Sequence, residues 1–491
     1  MAIAVLILYL LVVIGIGFYM RRRVHNEKDY LAAGGTLGAL VGGATLAATQ
    51  MSAGTAIGSV GFHYNFGYNY SWIWLFIWAS WVIMALVMAP KMKALFNSRG
   101  ALTIPDLLGV RYESKAIRVI AVIILLFAFG LTIVAELVGG SYVLNVAFGV
   151  PETAGVLIIA AVFILYTVLG GLFAIAYTDL LQMLVFAFGF AIAVPIVVSR
   201  AGGFVALNEK LASVDPSLVT NGMPLTTLFA VGFSFFVLLI GYPIIAIRFY
   251  SMRDNVTIRR AVGISFIFQM IIAVSVAFVG VSARILYPHL STPDLSSPTI
   301  AMEILPPVLG GLLLAAILAA IQSTVSAVLL MLGSAVSHDI IKQVIGIELS
   351  ERAQVNLTRA VVLVMGIIPI PFALNPLPLI QQIWINAAVL IGSAFAIPTL
   401  FGLIWKRGTA VGAIVSMVGG IGTAAVWLLL GNPFGLNPVY VSVPVSLLGF
   451  FLGSLVTKPV SKEALAPFFR DEMEKLTTQT TKAAGPGYRQ S

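Results

Sequence analysis

Two short stretches carry oxygen where a membrane-crossing segment ordinarily carries only carbon. In AATQMSAGTAIGSVGF (47–62), Thr49, Gln50, Ser52, Thr55 and Ser59 are interspersed with Gly54, Gly58 and Gly61 inside a long apolar run. In AAIQSTVSAVLL (319–330), Gln322, Ser323, Thr324 and Ser326 interrupt an otherwise aliphatic sequence. Neither stretch contains a carboxylate or a thiol. Hydroxyls and exposed backbone carbonyls, without soft ligands, suit a small hard cation such as sodium. A second reading stays open for the first stretch, because small residues at Gly-x-x-x-Gly spacing also serve close helix packing. Glu136 is the third anomaly, a lone acid in LTIVAELVGG (131–140). A charge at mid-membrane costs about 2.5–3.5 kcal/mol on the mildest scale, so this acid is either functional or protonated and bonded to a neighbour.

The chain that must position these groups is 60% hydrophobic and 10% charged, with mean hydropathy +1.03. So few charges cannot solvate the surface of 491 residues, and the bilayer must be the solvent. At about 20 apolar residues per crossing, thirteen spans are predicted: 3–20, 37–62, 70–90, 119–143, 153–173, 178–199, 224–247, 261–285, 309–337, 358–374, 380–404, 410–430 and 437–456. The runs are too long for barrel strands and lack period-two alternation. Alternate sides then receive 25 and 3 of the 28 Lys and Arg. Basic residues are retained in the cytoplasm, which predicts an external N-terminus and a cytoplasmic C-terminus in the plasma membrane. The first apolar run precedes Arg21, Arg22 and Arg23, the reverse of a cleavable signal, so it reads as a retained span. Residues 457–491 read as a charged cytoplasmic tail.

Enzymatic chemistry finds no support, since nothing pairs a nucleophile with a base and no His–Glu metal motif occurs. His25, His63, His289 and His338 are scattered, and there is no cysteine to help them bind a metal. A passive channel would need a continuous polar pore rather than one mid-membrane cluster.

Three stretches carry a resemblance: KDYLAAGGTLG (28–38), YTVLGGLFAIAYTDLLQ (166–182) and LLAAILAAIQSTVSA (313–327). Over residues 3–456 the chain resembles the sodium:solute symporter family, in which such segments precede a broken helix, form a Tyr…Gly-Gly…Thr-Asp…Gln stretch and build the sodium-site helix. DPSLVT (215–220), LYPHLSTPDLSSPTIAMEILPP (286–307), IQST with SHDIIK (337–342), and IWIN (383–386) are most similar to sodium/pantothenate symporters.

The resemblance implies an all-α, inverted-repeat fold of the leucine-transporter type. One extra N-terminal span would precede five helices (about 37–199), repeated upside down in the next five (about 224–404), with two more at the end. Residues 1–456 would form a single transporter domain working by alternating access. The co-transported sodium would bind the carbonyls of Ala48, Met51 and Ala320 and the hydroxyls of Ser323 and Thr324. Asp179 and Ser326 match a second sodium site of some relatives, but Ala327 stands where a further hydroxyl is expected. Asp179 also reads as a helix N-cap. Solute contacts would come from Gln50, Ser52, Gly54, Glu136, Phe235, Trp384 and Asn386, with Pro243 breaking the mirror helix. Gln50 reads equally as an interhelical hydrogen bond, Trp384 and Asn386 as gate residues, and Phe235 as core packing. Pantothenate is the implied cargo, with another monocarboxylate or an amino acid such as proline as alternatives. Gln50 replaces the acid of proline carriers, and Glu136 replaces an amide expected in pantothenate carriers.

Overall fold

The computed structural model of the protein describes residues 1–20, 27–99, 103–220, 222–375 and 379–469. Arg21, Arg22, Arg23, His25 and the tail from residue 470 onward lie outside the described residues. Among the described residues the regular structure is helical, with one isolated parallel bridge between Leu37 and Met252. Among the described residues, eight helices are long and apolar enough to cross a membrane, or nine if one bent pair is a single span. Shorter apolar helices occupy Ala2–Ile16, Glu152–Leu165 and Val439–Leu455. The predicted boundaries at 62/70 and 173/178 are not loops. Gly54–Arg99 runs on through a 3-10 turn at Gly67–Trp72, and Glu152–Arg200 is one helical segment.

The elements that build the site are α1 (Ala2–Met20), α2 (Ala39–Gln50), α3 (54–66, opening with the π-turn Gly54–Ser59), α4 (Ile73–Ile83), α5 (Ile104–Tyr112), α6 (Lys115–Phe148) and α7 (Glu152–Arg200). They continue with α8 (Leu225–Gly241), α9 (Pro243–Ser251), α10 (Asn255–Leu286), α11 (Pro307–Ser334), α12 (Glu351–Ile367) and α13 (Ile380–Ile404). α11 is enclosed by other helices and is apolar round most of its surface, with Gln322, Ser323, Thr324 and Ser326 as the interruption. Its apolar window is 94% buried, against 28% for α12, and it packs on α7, α1, α6 and α2.

Two helices break in mid-span. α2 stops at Gln50 because Met51 turns to extended backbone (φ −84°, ψ 127°), and the chain resumes helical geometry at Ala53. α8 gives way to α9 at Tyr242 with a 45° bend. Pro243 opens the second half, where its missing N–H costs nothing.

Polar contacts tie segments together at the predicted cytoplasmic end. Leu37 N donates to the Ser251 carbonyl at 2.9 Å, and Lys93 Nζ to the Tyr250 carbonyl at 2.9 Å. Asp106 on α5 pairs with Arg118 and lies 3.1 Å from His338 Nε2; Asp339 accepts from Thr103 Oγ1 at 2.8 Å and faces Arg118 at 3.7 Å. Burial pushes the Asp106 carboxyl up, but His338 and Arg118 outweigh it and hold the group below the usual carboxylate range. Sequence reading treats His338 as isolated; folding places it within ligand spacing of Asp106 and Asp339. Arg118 already occupies that cluster as counter-charge.

Candidate functional site

A helix interrupted in a bilayer frees backbone groups that lipid cannot satisfy. Here α11 and α6 satisfy them. Ser323 Oγ lies 3.2 Å from the Ala48 carbonyl and 2.9 Å from that of Ala320. Thr324 Oγ1 lies 2.7 Å from the Met51 carbonyl and 3.2 Å from that of Ala320. Both side chains are 1% exposed. Each hydroxyl has one proton to donate and keeps its lone pairs. Five uncharged oxygens from α2, the break and α11 are gathered at this point. Turning the two hydroxyl protons outward would present all five to a cation, replacing water without a full negative charge.

The third partner of the break is Glu136, which is fully buried. Its Oε2 accepts the Ala53 amide at 2.9 Å and its Oε1 the Trp384 indole N–H at 3.2 Å. The acid is thus bonded to its neighbours, one of the two readings the sequence leaves open, and is not among the residues that line the neighbouring cavity.

Beside the break lies a cavity of about 50 Å³. Of the expected solute residues, Gln50, Ser52, Gly54, Phe235 and Trp384 line it; Asn386 does not, and instead accepts from the Gln382 amide at 2.9 Å. The Gln50 carbonyl oxygen is taken by Trp81 Nε1 at 2.8 Å, which leaves its amide nitrogen as a donor. Sequence reasoning singled out Ser59 only as one of the hydroxyls of its stretch and missed three further lining groups: Trp74 Nε1, Tyr242 OH and Gln381 Oε1. All four, Ser59 Oγ included, are buried without a hydrogen-bond partner, so a solute that pairs with them gains the full value of those bonds. No lining side chain is charged. The volume holds a few waters. The Gly-x-x-x-Gly reading also holds: Cβ atoms at Gly54 and Gly58 would stand 2.6 Å from Trp384 Cδ1 and 2.7 Å from Gln381 Oε1.

A larger cavity of about 380 Å³ lies where α8 and α13 begin, with Phe66, Thr226, Gln382 and Tyr440 among its walls. Tyr70 lines both cavities, and the Gln381 amide donates to its hydroxyl. Next to it, Asp294 Oδ2 accepts the first amide of α13, Ile380 N, at 2.9 Å. Burial pushes the Asp294 carboxyl up to about 6, with the Ile380 amide pulling the other way.

A value raised in the folded state means that the contribution is complete below the unfolded value near 3.8 and is lost as pH rises through about 6. Between pH 5 and 7.5 the wild-type protein is expected to lose about 1.4 kcal/mol relative to Asp294→Asn, the rest of the loss having occurred between the unfolded value and pH 5. Thermal unfolding in detergent at both pH values checks this; parallel pH profiles for the two proteins would contradict it.

Asp179 is not an N-cap, because α7 runs continuously through it. Its Oδ2 accepts from Thr45 Oγ1 at 2.5 Å and faces Arg248 Nη2 at 3.5 Å, both partners buried. The Ser326 hydroxyl is turned to the Ser323 carbonyl at 3.1 Å.

Comparison with known proteins places this architecture. A sodium/pantothenate symporter of Escherichia coli (strain K12) is 32% identical over 472 residues, covering 91% of this chain and 95% of that protein. A high-affinity proline transporter of Bacillus subtilis (strain 168) is 29% identical over 94% of this chain and 99% of its own length. Among solved structures, a Na+-coupled sialic acid symporter in a substrate-bound outward-open state superposes with a TM-score of 0.78 at 19% identity, covering 94% of this chain and 98% of that one. At that identity the likeness speaks for the fold alone. The model of the sodium:solute symporter family matches residues 30–420. With four-fifths of its length matched, and sodium as its co-transported ion, the chain belongs to the sodium:solute symporter family.

Proposed function

We propose that the protein imports pantothenate together with sodium, by alternating access. The observation that carries the sodium half is the gathering of the Ala48, Met51 and Ala320 carbonyls around the Ser323 and Thr324 hydroxyls across a broken helix. Those five oxygens are the proposed sodium ligands. Gln50, Ser52, Gly54, Phe235 and Trp384 form the proposed solute wall. Sodium in the outward-facing state orders the break, the break shapes the wall beside it, and the loaded protein then opens inward. Coupling of this kind requires sodium to favour the solute-competent state.

The proposed topology has thirteen crossings within residues 1–456, the N-terminus outside and the C-terminus inside, with an inverted 5+5 repeat. Supporting the count, thirteen spans result when Gly54–Arg99 is divided at its 3-10 turn and the bent pair and three shorter helices are included. A tenfold sodium gradient supplies about 1.4 kcal/mol per ion, and each net charge moved adds about 2.3 kcal/mol per 100 mV.

The pantothenate half is supported by the relative of that name and by the matching stretches at 215–220 and 286–307. A second reading is a zwitterionic amino acid such as proline. It is favoured by the uncharged cavity wall, which offers an anion no cation, whereas a zwitterion brings its own counter-charge. Uptake of labelled solutes into proteoliposomes, with and without an inward sodium gradient, decides between them. Pantothenate is expected to accumulate only with the gradient. Gradient-driven proline uptake that pantothenate fails to compete with would replace this reading by the second.

A further inference from the structure

Glu136 touches neither the proposed solute nor the proposed ion, yet it joins the two elements that frame them. It stands on α6, and each of its oxygens serves a different neighbour: Oε2 takes the Ala53 amide at the start of α3, and Oε1 takes the Trp384 indole on α13. Ala53 follows Met51 by two residues, and the Met51 carbonyl is one that Thr324 holds. Trp384 lies one helical turn from Gln381, whose amide holds the Tyr70 hydroxyl between the two cavities. The break and the indole are also in tight contact, since even a methyl group at Gly54 would collide with the Trp384 ring. A shift of the peptide at 51–53 therefore cannot leave Trp384 where it is.

We propose that Glu136 is a positioning residue that transmits the state of the break to the Tyr70–Gln381 gate by way of Trp384, an inference that rests on the sodium reading above. The chemistry favours an acid here. A carboxylate accepts from both N–H donors at once, and the N-terminal end of a helix adds to its stability. An amide of the same shape accepts from one and must turn its own NH2 toward the other. When a cation fixes the Met51 carbonyl, the Ala53 amide is fixed with it. Glu136 then fixes the indole, and the indole fixes the turn of α13 that carries Gln381. Sodium and gate thus share one rigid connection across three helices.

The chain has no cysteine, so a thiol introduced by Ser59→Cys, on the inner cavity wall, is the sole site for a membrane-impermeant maleimide added from outside. In proteoliposomes, sodium is expected to change the labelling rate of this protein about tenfold, corresponding to a coupling of ~1.4 kcal/mol. Adding Glu136→Ala, or Trp384→Phe, which keeps the ring and removes the donor, is expected to reduce the sodium effect to less than about twofold, with Glu136→Gln between. Direct binding of radioactive sodium should persist in Trp384→Phe. An acid that served only to stabilise the fold would lower the yield of inserted protein and leave the sodium effect whole. If Glu136→Gln and Trp384→Phe both keep the full sodium effect, this inference is overturned and the sodium site stands. If Ser59→Cys alone shows no sodium effect, the sodium-site reading fails and takes this inference with it.

Discussion

Replacing Ser323 and Thr324 together by alanine is expected to abolish sodium-stimulated uptake while the protein still inserts. Each substitution removes one proposed ligand and also strips a partner from a carbonyl at the break. Losing a buried hydrogen-bonding group costs about 1–3 kcal/mol. Two such losses weaken sodium binding on the order of a hundredfold or more. Binding of radioactive sodium to purified protein measures the affinity directly, and uptake at graded sodium concentrations measures its consequence. The single variants should each show part of the loss. A double variant with unaltered sodium dependence would remove the site from this position.

The second large effect concerns Asp179. Arg248 and Asp179 are both about 1% exposed, with Thr45 bonded to the same carboxylate oxygen. Asp179→Ala leaves the guanidinium buried without this carboxylate, a change that costs ~3–5 kcal/mol when one partner of a buried pair is removed. A large fall in melting temperature and in the yield of monodisperse protein is expected. The double variant Asp179→Ala with Arg248→Met should recover most of it, because two buried charges then leave together. The same residue matched a second sodium site in sequence. If it served that role, Asp179→Asn would reduce the sodium carried per solute without a comparable loss of stability. The measured ratio of radioactive sodium to solute separates the two.

Much of the centre of the fold was legible before any coordinates. Hydroxyls and glycines in an apolar stretch at 47–62 announced the broken helix, and QSTVS marked the helix facing it, because both features are written in contiguous residues. What could not be read was contact between distant segments. Gln381 and Tyr70 are 311 positions apart, and His338 and Asp106 are 232 apart. Nothing in hydropathy or spacing says that they meet. Glu136 was recognised as exceptional with two readings open, a functional contact or a bond to a neighbour, and the structure shows bonds to the Ala53 amide and the Trp384 indole. A buried acid signals that something must hydrogen-bond to it, without telling whether that is a solute or a backbone amide. Asn386 lies one residue beyond Ile385 and two beyond Trp384, and on a helix those steps turn it away from the inner cavity. The N-cap reading of Asp179 rested on a turn between spans at 173–178, and that turn is helical.

The two cavities differ more than sevenfold in volume and meet at one tyrosine ring. A compound whose head mimics the cargo and whose tail fills the wider chamber above Tyr70 would wedge the passage open. Such a compound behaves as a plug rather than a passenger. Blockers of this carrier are therefore best sought among cargo analogues extended at one end, with amide or hydroxyl groups along the extension.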